Sequence, residues 1–222
     1  MPTLLVTGAG RGLGLEIARQ YAADGWRVIG TVRKRSPELE ENGVHTVAVD
    51  VTHFKEIKRL AETLQGEPID LLFCNAGIIG KRGMALGNFD YAEWEKVLRV
   101  NLLGAAAVID ALVESVAASQ RKTIAVMSSR LGSIAETSGE TLPYSTSKAA
   151  LNLLARGLAA KLSGRNIVLV ALSPGWVKTD MGGNTAPLAP RDSVRGLRKV
   201  LAGLRREDSG RFFSYDGSTI PW

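Results

Sequence analysis

The stretch Leu4-Leu-Val-Thr-Gly-Ala-Gly-Arg-Gly-Leu-Gly14 decides the fold of this chain. An apolar run ends at Val6, glycines recur at every second position from Gly8 to Gly14, and Leu15 to Asp24 has the composition of a helix. A strand, a glycine turn and a helix in this order form the usual context of a phosphate site. Glycines let the backbone approach a pyrophosphate, and the helix N-terminus offers free N–H groups and a positive dipole end. The spacing departs from the G-x-G-x-x-G fingerprint, so a glycine turn without a nucleotide remains the alternative.

Strand and helix patterns alternate along the rest of the chain. Near-continuous apolar runs rich in Val and Ile indicate strands that are buried on both faces, and helical periodicity fills the segments between them. The pattern predicts a single α/β domain over residues 1–222, a doubly wound Rossmann fold with a mostly parallel seven-stranded sheet and helices on both faces. Its ligand crevice should lie at the carboxyl ends of the strands. The predicted strands are Leu4–Val6, Arg27–Val32, His45–Val49, Ile69–Phe73, Thr123–Met127, Ile167–Leu172 and Arg211–Ser214, and further helices are predicted over Phe54–Leu64, Tyr91–Ala118, Tyr144–Leu162 and Ser193–Leu204.

Composition is that of an ordinary globular domain. The chain has 222 residues, of which 45% are hydrophobic and 23% charged. We expect no apolar run as long as a membrane span, and the segment from Met1 to Val6 lacks the basic region of a signal peptide. Cys74 is the one cysteine, so an intrachain disulfide is impossible and we expect a buried, inert thiol. These features predict a cytoplasmic protein with no membrane partner.

The net charge of +6 does not by itself indicate a nucleic-acid partner. The basic residues are scattered, apart from Arg33-Lys-Arg35 and the segment 195–206, and no aromatic residues interleave with them. A surface that stacks bases needs such aromatics, so we expect no binding of nucleic acid. His45 and His53 have no metal-ligand spacing with each other or with Cys74, which predicts no metal site.

A second motif, Tyr144-Ser-Thr-Ser-Lys148, suggests acid–base chemistry. Residues four apart lie on one face of a helix. A free tyrosine has a pKa near ~10, and a fixed ammonium beside it would favour the phenolate and lower that pKa. The pair could then donate and accept a proton in the interconversion of a carbonyl and an alcohol. By spacing alone, a surface tyrosine and a solvated lysine remain possible.

The order of these motifs resembles that of the short-chain dehydrogenases/reductases. Thr7-Gly8-x-x-x-Gly12-x-Gly14 opens the chain, and Pro174-Gly175 follows the Tyr144-x-x-x-Lys148 pair. Between them lie Asn75-Ala76-Gly77, Asn101 and Ser129. Ser173 to Gly183 and Tyr215 to Trp222 are similar to the C-factor and sniffer-type carbonyl reductase branch of that family.

The resemblance implies an oxidoreductase that interconverts a carbonyl and an alcohol by hydride transfer. Tyr144 would be the general acid in reduction, and Lys148 would lower its pKa and hold the nicotinamide ribose. Ser129 would hydrogen-bond the substrate oxygen, although the adjacent Ser128 is an alternative. Asn101, within a predicted long helix, would support a proton relay, with a structural capping role as the other possibility.

The cofactor prediction rests on charge after the second strand. In a dinucleotide fold, an acidic residue about twenty positions after the glycines would hold the ribose 2′-OH. This chain instead has Arg33-Lys-Arg35 there, which suits a ribose 2′-phosphate and predicts NADP(H) in preference to NAD(H). The resemblance adds Arg11 as a second basic residue and Asp50-Val51 as the adenine contact. The full set of predicted cofactor-binding residues is Thr7, Gly8, Arg11, Gly12, Leu13, Gly14, Arg33, Asp50, Val51, Asn75, Ala76, Gly77, Tyr144, Lys148, Pro174, Gly175, Val177 and Thr179.

Alternative functions and the assembly remain to be considered. A non-catalytic nucleotide sensor could use the same scaffold, since a fold does not determine function. Met181 to Arg191 leaves little material for a substrate lid, so the sequence does not define the small-molecule carbonyl or alcohol substrate. Apolar surfaces on Val97–Ala118 and Ala149–Leu162 predict a homodimer, or a tetramer built from it.

Overall fold

The computed structural model describes residues 1–64 and 66–222 and contains one parallel sheet of seven strands. The strands are ordered β3-β2-β1-β4-β5-β6-β7, and all of them are parallel. The strand order reverses at β1, which pairs with both β2 and β4. This is the predicted doubly wound Rossmann fold, and the expectation is confirmed. The strands are β1 Thr3–Val6, β2 Arg27–Val32, β3 His45–Ala48, β4 Leu71–Cys74, β5 Thr123–Met127, β6 Val168–Ser173 and β7 Phe212–Ser214.

Helices connect the strands, as the alternating pattern predicts. The short helix over Pro37–Glu41 was not predicted, because five residues are too few to show helical periodicity. The helices are α1 Gly12–Ala23, α2 Pro37–Glu41, α3 Phe54–Thr63, α4 Tyr91–Leu98, α5 Ala105–Ala117, α6 Leu142–Leu162 and α7 Pro190–Ala202.

Each apolar strand supplies side chains to two separate cores. In β1, Leu5 belongs to one core, while Leu4 and Val6 belong to the other. Successive side chains of a strand point to opposite faces, so a strand covered on both sides is apolar throughout. Helices α3, α5 and α6 cover one face, and α1, α2 and α7 cover the other.

The predicted helix Tyr91–Ala118 is not a uniform α-helix. A π-helical segment, Arg99–Gly104, separates α4 from α5, and Asn101 lies within it. Single π turns inside α-helices often occur at functional sites. The prediction of one regular helix here is therefore wrong in its interior, although its ends agree with the structure.

This helical run also corrects the expectation about membrane spans. Tyr91–Ala117 extends over 27 residues with a mean hydropathy of 1.7 in an 18-residue window, which by length and composition is enough to cross a membrane. The statement that no apolar run reaches that length is therefore wrong. One apolar face of α5 packs against β4 and β5, and 39% of the apolar window is buried in this way.

Candidate active site

The glycine turn brings β1 and α1 unusually close together. Gly8 and Gly12 have φ values of +68° and +56°, a left-handed conformation that strains other residues. A Cβ at Gly14 would overlap the carbonyl oxygen of Gly8 and lie 2.6 Å from Nδ2 of Asn75. The turn therefore requires glycine at these positions for backbone geometry and for packing.

The N-terminus of α1 is suited to an anion. Arg11 is the N-cap residue, its side chain forms no capping hydrogen bond, and the first turn contains no acidic residue. Leu13 is half-buried, and the exposed Arg11 side chain forms an ion pair with Asp180 at 2.9 Å. The first N–H groups of the helix thus have no side-chain cap, as a phosphate site requires.

Thr7 and Asn75 form hydrogen bonds that connect the glycine turn to the end of the neighbouring strand β4. Oγ1 of Thr7 accepts hydrogen bonds from the backbone N–H groups of Asn75 at 3.0 Å and Ala76 at 3.1 Å. The Asn75 amide in turn donates to the carbonyl oxygens of Thr7 at 3.0 Å and Gly8 at 3.3 Å. These four bonds join the ends of β1 and β4 at the point where the strand order reverses.

The basic segment after β2 leaves one arginine available. Arg35 is held by Glu40, with Nη2 at 2.6 Å from Oε2. Arg33 is exposed and forms no ion pair within residues 1–64 and 66–222. The pKa of Asp50 is lowered. Burial alone would raise this pKa, but the hydrogen bonds from Thr52 and the nearby positive charges, including that of Arg33, outweigh the effect of burial.

Asp50 and Val51 follow β3 at the same edge of the sheet. Asp50 accepts hydrogen bonds from the backbone N–H of Thr52 at 2.9 Å and from its hydroxyl at 2.7 Å. Val51 is buried, and a Cβ at Gly104 would lie 2.9 Å from its Cγ2. The segment after β3 is thereby packed against the end of the π-helical segment.

Tyr144, Lys148 and Ser129 come together at the carboxyl ends of the strands. Tyr144 and Lys148 are both buried, and Nζ of Lys148 lies 5.5 Å from the centre of the Tyr144 ring. The same Nζ donates to the carbonyl oxygen of Met127, at the end of β5, at 2.7 Å. Ser129 is half-buried and begins the short turn Arg130–Gly132, which packs against the helix that carries Tyr144 and Lys148.

The protonation of this pair differs from the sequence-based expectation. Burial raises the pKa of Tyr144 to about 12, and the nearby Ser129 hydroxyl acts against this rise. Burial also lowers the pKa of Lys148 to about 8. The pKa of Tyr144 thus lies above its ordinary value, opposite to the sequence-based expectation, because burial disfavours the phenolate.

The two adjacent serines have different surroundings. Ser128 is fully buried, and its Oγ donates to Oδ1 of Asn152 at 2.6 Å. Ser129 caps the short 3-10 turn Arg130–Gly132, with its Oγ accepting from the N–H of Leu131 at 3.2 Å. The Ser128 hydroxyl is thus taken up by Asn152, which favours Ser129 as the catalytic serine, and that role stays a prediction.

Asn101 joins the π-helical segment to the loop after β4. Its Oδ1 accepts from the N–H of Ile78 at 2.8 Å, and its Nδ2 donates to the Ile78 carbonyl at 2.9 Å. Nδ2 also donates to Oγ of Ser147 at 2.9 Å. A Cβ at Gly77 would lie 3.3 Å from Oδ1 of Asn101 and 3.5 Å from Nζ of Lys148. These contacts favour a structural role for the Asn101 side chain, and its part in a proton relay stays a prediction.

The segment after β6 closes the other side of the crevice. Gly175 has a φ of +78°, and the carbonyl of Pro174 accepts from Oγ of Ser193 at 2.6 Å. Val177 is buried, and a Cβ at Gly12 would lie 3.8 Å from Cγ2 of Thr179. This segment therefore borders the glycine turn, as the predicted cofactor set requires.

The family model of the short chain dehydrogenases matches residues 2–188. The chain belongs to this family. The C-signal protein of Myxococcus xanthus is 43% identical over 156 residues, covering 70% of this chain and 93% of that protein. The predicted family and enzyme class are confirmed.

Solved structures place this short-chain dehydrogenase close to carbonyl reductases. Carbonyl reductase Sniffer of D. melanogaster has a TM-score of 0.91 and 31% identity, covering 100% of both chains. The NADPH-bound carbonyl reductase from chicken fatty liver has a TM-score of 0.92 and 31% identity, covering 100% of this chain and 99% of that one. The resemblance to the C-factor and sniffer-type branch is confirmed by these relatives.

Sequence reasoning missed two buried polar residues on α6. Ser147 accepts from Asn101 and donates to the carbonyl of Tyr144 at 2.7 Å. Asn152 bonds to Ser128 and Gly132. Asn152 follows Tyr144 and Lys148 at intervals of four, so the same helical spacing could have identified it. In the described part of the chain, no group of three or more His, Cys, Asp or Glu residues could hold a metal ion.

Proposed function

We propose that this short-chain dehydrogenase is an NADPH-dependent reductase of small carbonyl compounds. The arrangement of Tyr144, Ser129 and Lys148 carries the proposal: a buried phenol and a lysine beside its ring lie at the carboxyl ends of the strands, next to the turn that Ser129 begins. The likeness to NADPH-bound carbonyl reductase from chicken fatty liver supports the choice of cofactor.

The residues of the crevice fit NADP(H). The uncapped N-terminus of α1 and the glycines before it would receive the pyrophosphate. Arg33, exposed and unpaired with any described residue, would bind the ribose 2′-phosphate, with Arg11 as a second cation. Tyr144 and Lys148 would lie at the nicotinamide end, together with the segment from Pro174 to Thr179. NADPH, when bound there, supplies the hydride that reduces the carbonyl carbon.

The chain's own residues supply the proton and orient the substrate. Tyr144 holds its proton at neutral pH, since its pKa is about 12, and it can donate that proton to the developing alkoxide. The Ser129 hydroxyl would donate a hydrogen bond to the same oxygen and stabilise its charge. Lys148, mostly protonated below its pKa of about 8, places a positive charge next to the phenolate that remains.

A panel assay tests the function directly. Purified protein is mixed with NADPH and with ketones, quinones and aldehydes of increasing size, and the loss of NADPH absorbance is followed. We expect turnover with at least one class, and none in the Tyr144→Phe variant. If the protein bound NADPH but reduced no carbonyl, the reductase proposal would fail and the nucleotide-sensor alternative would be favoured.

A further inference from the structure

A buried asparagine on α6 lies two helical turns beyond the tyrosine of the proposed site. Asn152 is 2% exposed and shares a helix face with Tyr144 and Lys148. Asparagine is mildly unfavourable inside a helix, and a buried amide is costly unless it is hydrogen-bonded. Its position therefore calls for partners, and the structure supplies them.

Both ends of the Asn152 amide hold the turn that contains Ser129. Oδ1 accepts from Oγ of Ser128 at 2.6 Å, and Nδ2 donates to the carbonyl oxygen of Gly132 at 3.1 Å. These partners lie one residue before Ser129 and three residues after it. The N–H of Gly132 also donates to the carbonyl of Ser129 at 2.8 Å, which closes the turn.

The turn lies directly on the helix. A Cβ at Gly132 would lie 2.7 Å from Cβ of Lys148, so glycine is needed for this contact. Other bonds connect the turn to different parts of the fold: the N–H of Arg130 donates to Oγ of Ser173 at 3.1 Å, and Oγ of Ser133 donates to the carbonyl of Pro221 at 2.7 Å. Asn152 thus ties the turn to the same helix that carries Tyr144.

We propose that Asn152 is a positioning residue, which holds the turn that carries the Ser129 hydroxyl against the helix that carries Tyr144. The kinetic test of this inference rests on the proposed reductase function, whereas the hydrogen-exchange test does not. Asn152 acts through the Ser128 hydroxyl on one side of Ser129 and through the Gly132 carbonyl on the other.

A double-mutant cycle separates this role from simple stabilisation. Asn152→Leu keeps the branched shape and the number of heavy atoms but removes both hydrogen bonds. We expect it to lower kcat for carbonyl reduction by about tenfold to a hundredfold while KM for NADPH changes less than about threefold, because a misplaced hydroxyl slows chemistry rather than cofactor binding. In a Ser129→Ala background, Asn152→Leu should cause no further loss of kcat. An equal loss in both backgrounds, or an unchanged kcat in the folded single variant, would overturn the proposal.

Amide hydrogen exchange gives a second readout that needs no turnover. In Asn152→Leu, exchange at the N–H groups of Leu131 and Gly132, which bond to Ser129, should accelerate about tenfold or more, while α1 is unchanged. Unchanged exchange at these two groups would also overturn the proposal. If the unmutated protein reduces no carbonyl, the reductase function fails, and exchange alone decides the role of Asn152.

Two further variants control for a loss of folding and for a general loss of stability. Ser128→Ala combined with Asn152→Leu leaves no orphaned hydroxyl and replaces the single variant if that does not fold. Asp70→Asn is the matched control, since Asp70 is also buried and binds the N–H of Thr3 at 2.8 Å, but at the opposite edge of the sheet. It should lower the thermal midpoint without changing kcat or exchange at Leu131.

Discussion

The Tyr144 phenol holds its proton at neutral pH because burial raises its pKa to about 12. Lys148 beside it has its pKa lowered to about 8 by the same cause, and it remains mostly charged at pH 7. Burial therefore opposes charge on both groups and leaves a neutral phenol next to an ammonium. This state suits the donation of a proton to a reduced carbonyl oxygen.

The first test at this scale removes the phenol oxygen. We expect Tyr144→Phe to lower kcat by about a hundredfold or more, while NADPH binds with nearly unchanged affinity, because the proton is needed only in the transition state. Stopped turnover with intact binding in a fluorescence titration checks this. Tyr91→Phe is the control, since Tyr91 is 69% exposed and is not among the predicted catalytic or cofactor-binding residues. A Tyr144→Phe variant with most of its activity would require another proton donor.

The second test follows the charge of Lys148 with pH. A lysine is charged below its pKa, so the ammonium is lost as pH rises through about 8. If that charge assists reduction, kcat/KM should fall above about pH 8, since this ratio reports the pKa values of the free enzyme. Lys148→Arg should be slower at every pH, but its kcat/KM should not fall above about pH 8, because arginine keeps its charge. If kcat/KM of Lys148→Arg fell above about pH 8 in the same way, the titration would belong to another group.

The third test concerns the choice between NADPH and NADH. A charge-assisted bond from Arg33 to the 2′-phosphate is worth roughly 1.5–3 kcal/mol, or about tenfold to a hundredfold in affinity. Arg33→Ala should raise KM for NADPH by that factor and leave KM for NADH nearly unchanged. Arg59→Ala, an exposed arginine on α3, should change neither. Equal affinity of the unmutated protein for both cofactors would contradict the assignment.

At the scale of elements, hydrophobic patterns predict the strands better than they predict the site. All seven strands lie within two residues of the predicted bounds, because a strand buried on both faces is apolar throughout. Asn101, within the π-helical segment, bonds to the backbone of Ile78, and helical periodicity does not reveal such a contact between distant parts of the chain. Likewise the Tyr144–Lys148 spacing predicts a shared face, but the pKa of Tyr144 depends on burial by other elements.

The glycine turn offers a test of the strand–turn–helix junction. Gly14→Ala should destabilise the protein by about 1–3 kcal/mol, because its Cβ would overlap the Gly8 carbonyl and push α1 away from β1. Gly10→Ala is a matched control, since its Cβ would meet only Cγ1 of Val32 at 3.5 Å and its φ is not positive. Chemical denaturation without cofactor measures both variants. Equal stability of the two would show that the turn adapts freely to a side chain at position 14.

At the scale of the whole molecule, the described fold leaves apolar surface on two helical segments. Leu153 on α6 is 74% exposed, and Leu103 at the π-helical segment is 46% exposed. The inward faces of α5 and α6 are already used by the core that they form with the sheet. A second apolar face on such helices would be covered by a second copy of the chain in a dimer.

We therefore predict a homodimer in which α5 and α6 pair across a two-fold axis, the arrangement implied by the family resemblance. Sedimentation equilibrium at micromolar concentration should give twice the chain mass of 23.7 kDa. Leu153→Glu should shift the protein toward monomer, because a charge at the interface core would lose its hydration without gaining a partner. Leu86→Glu is the control, since Leu86 is 91% exposed but lies on the loop before α4, outside these helices. A monomer mass for the unmutated protein with full reductase activity would contradict the dimer and would leave Leu153 as isolated surface.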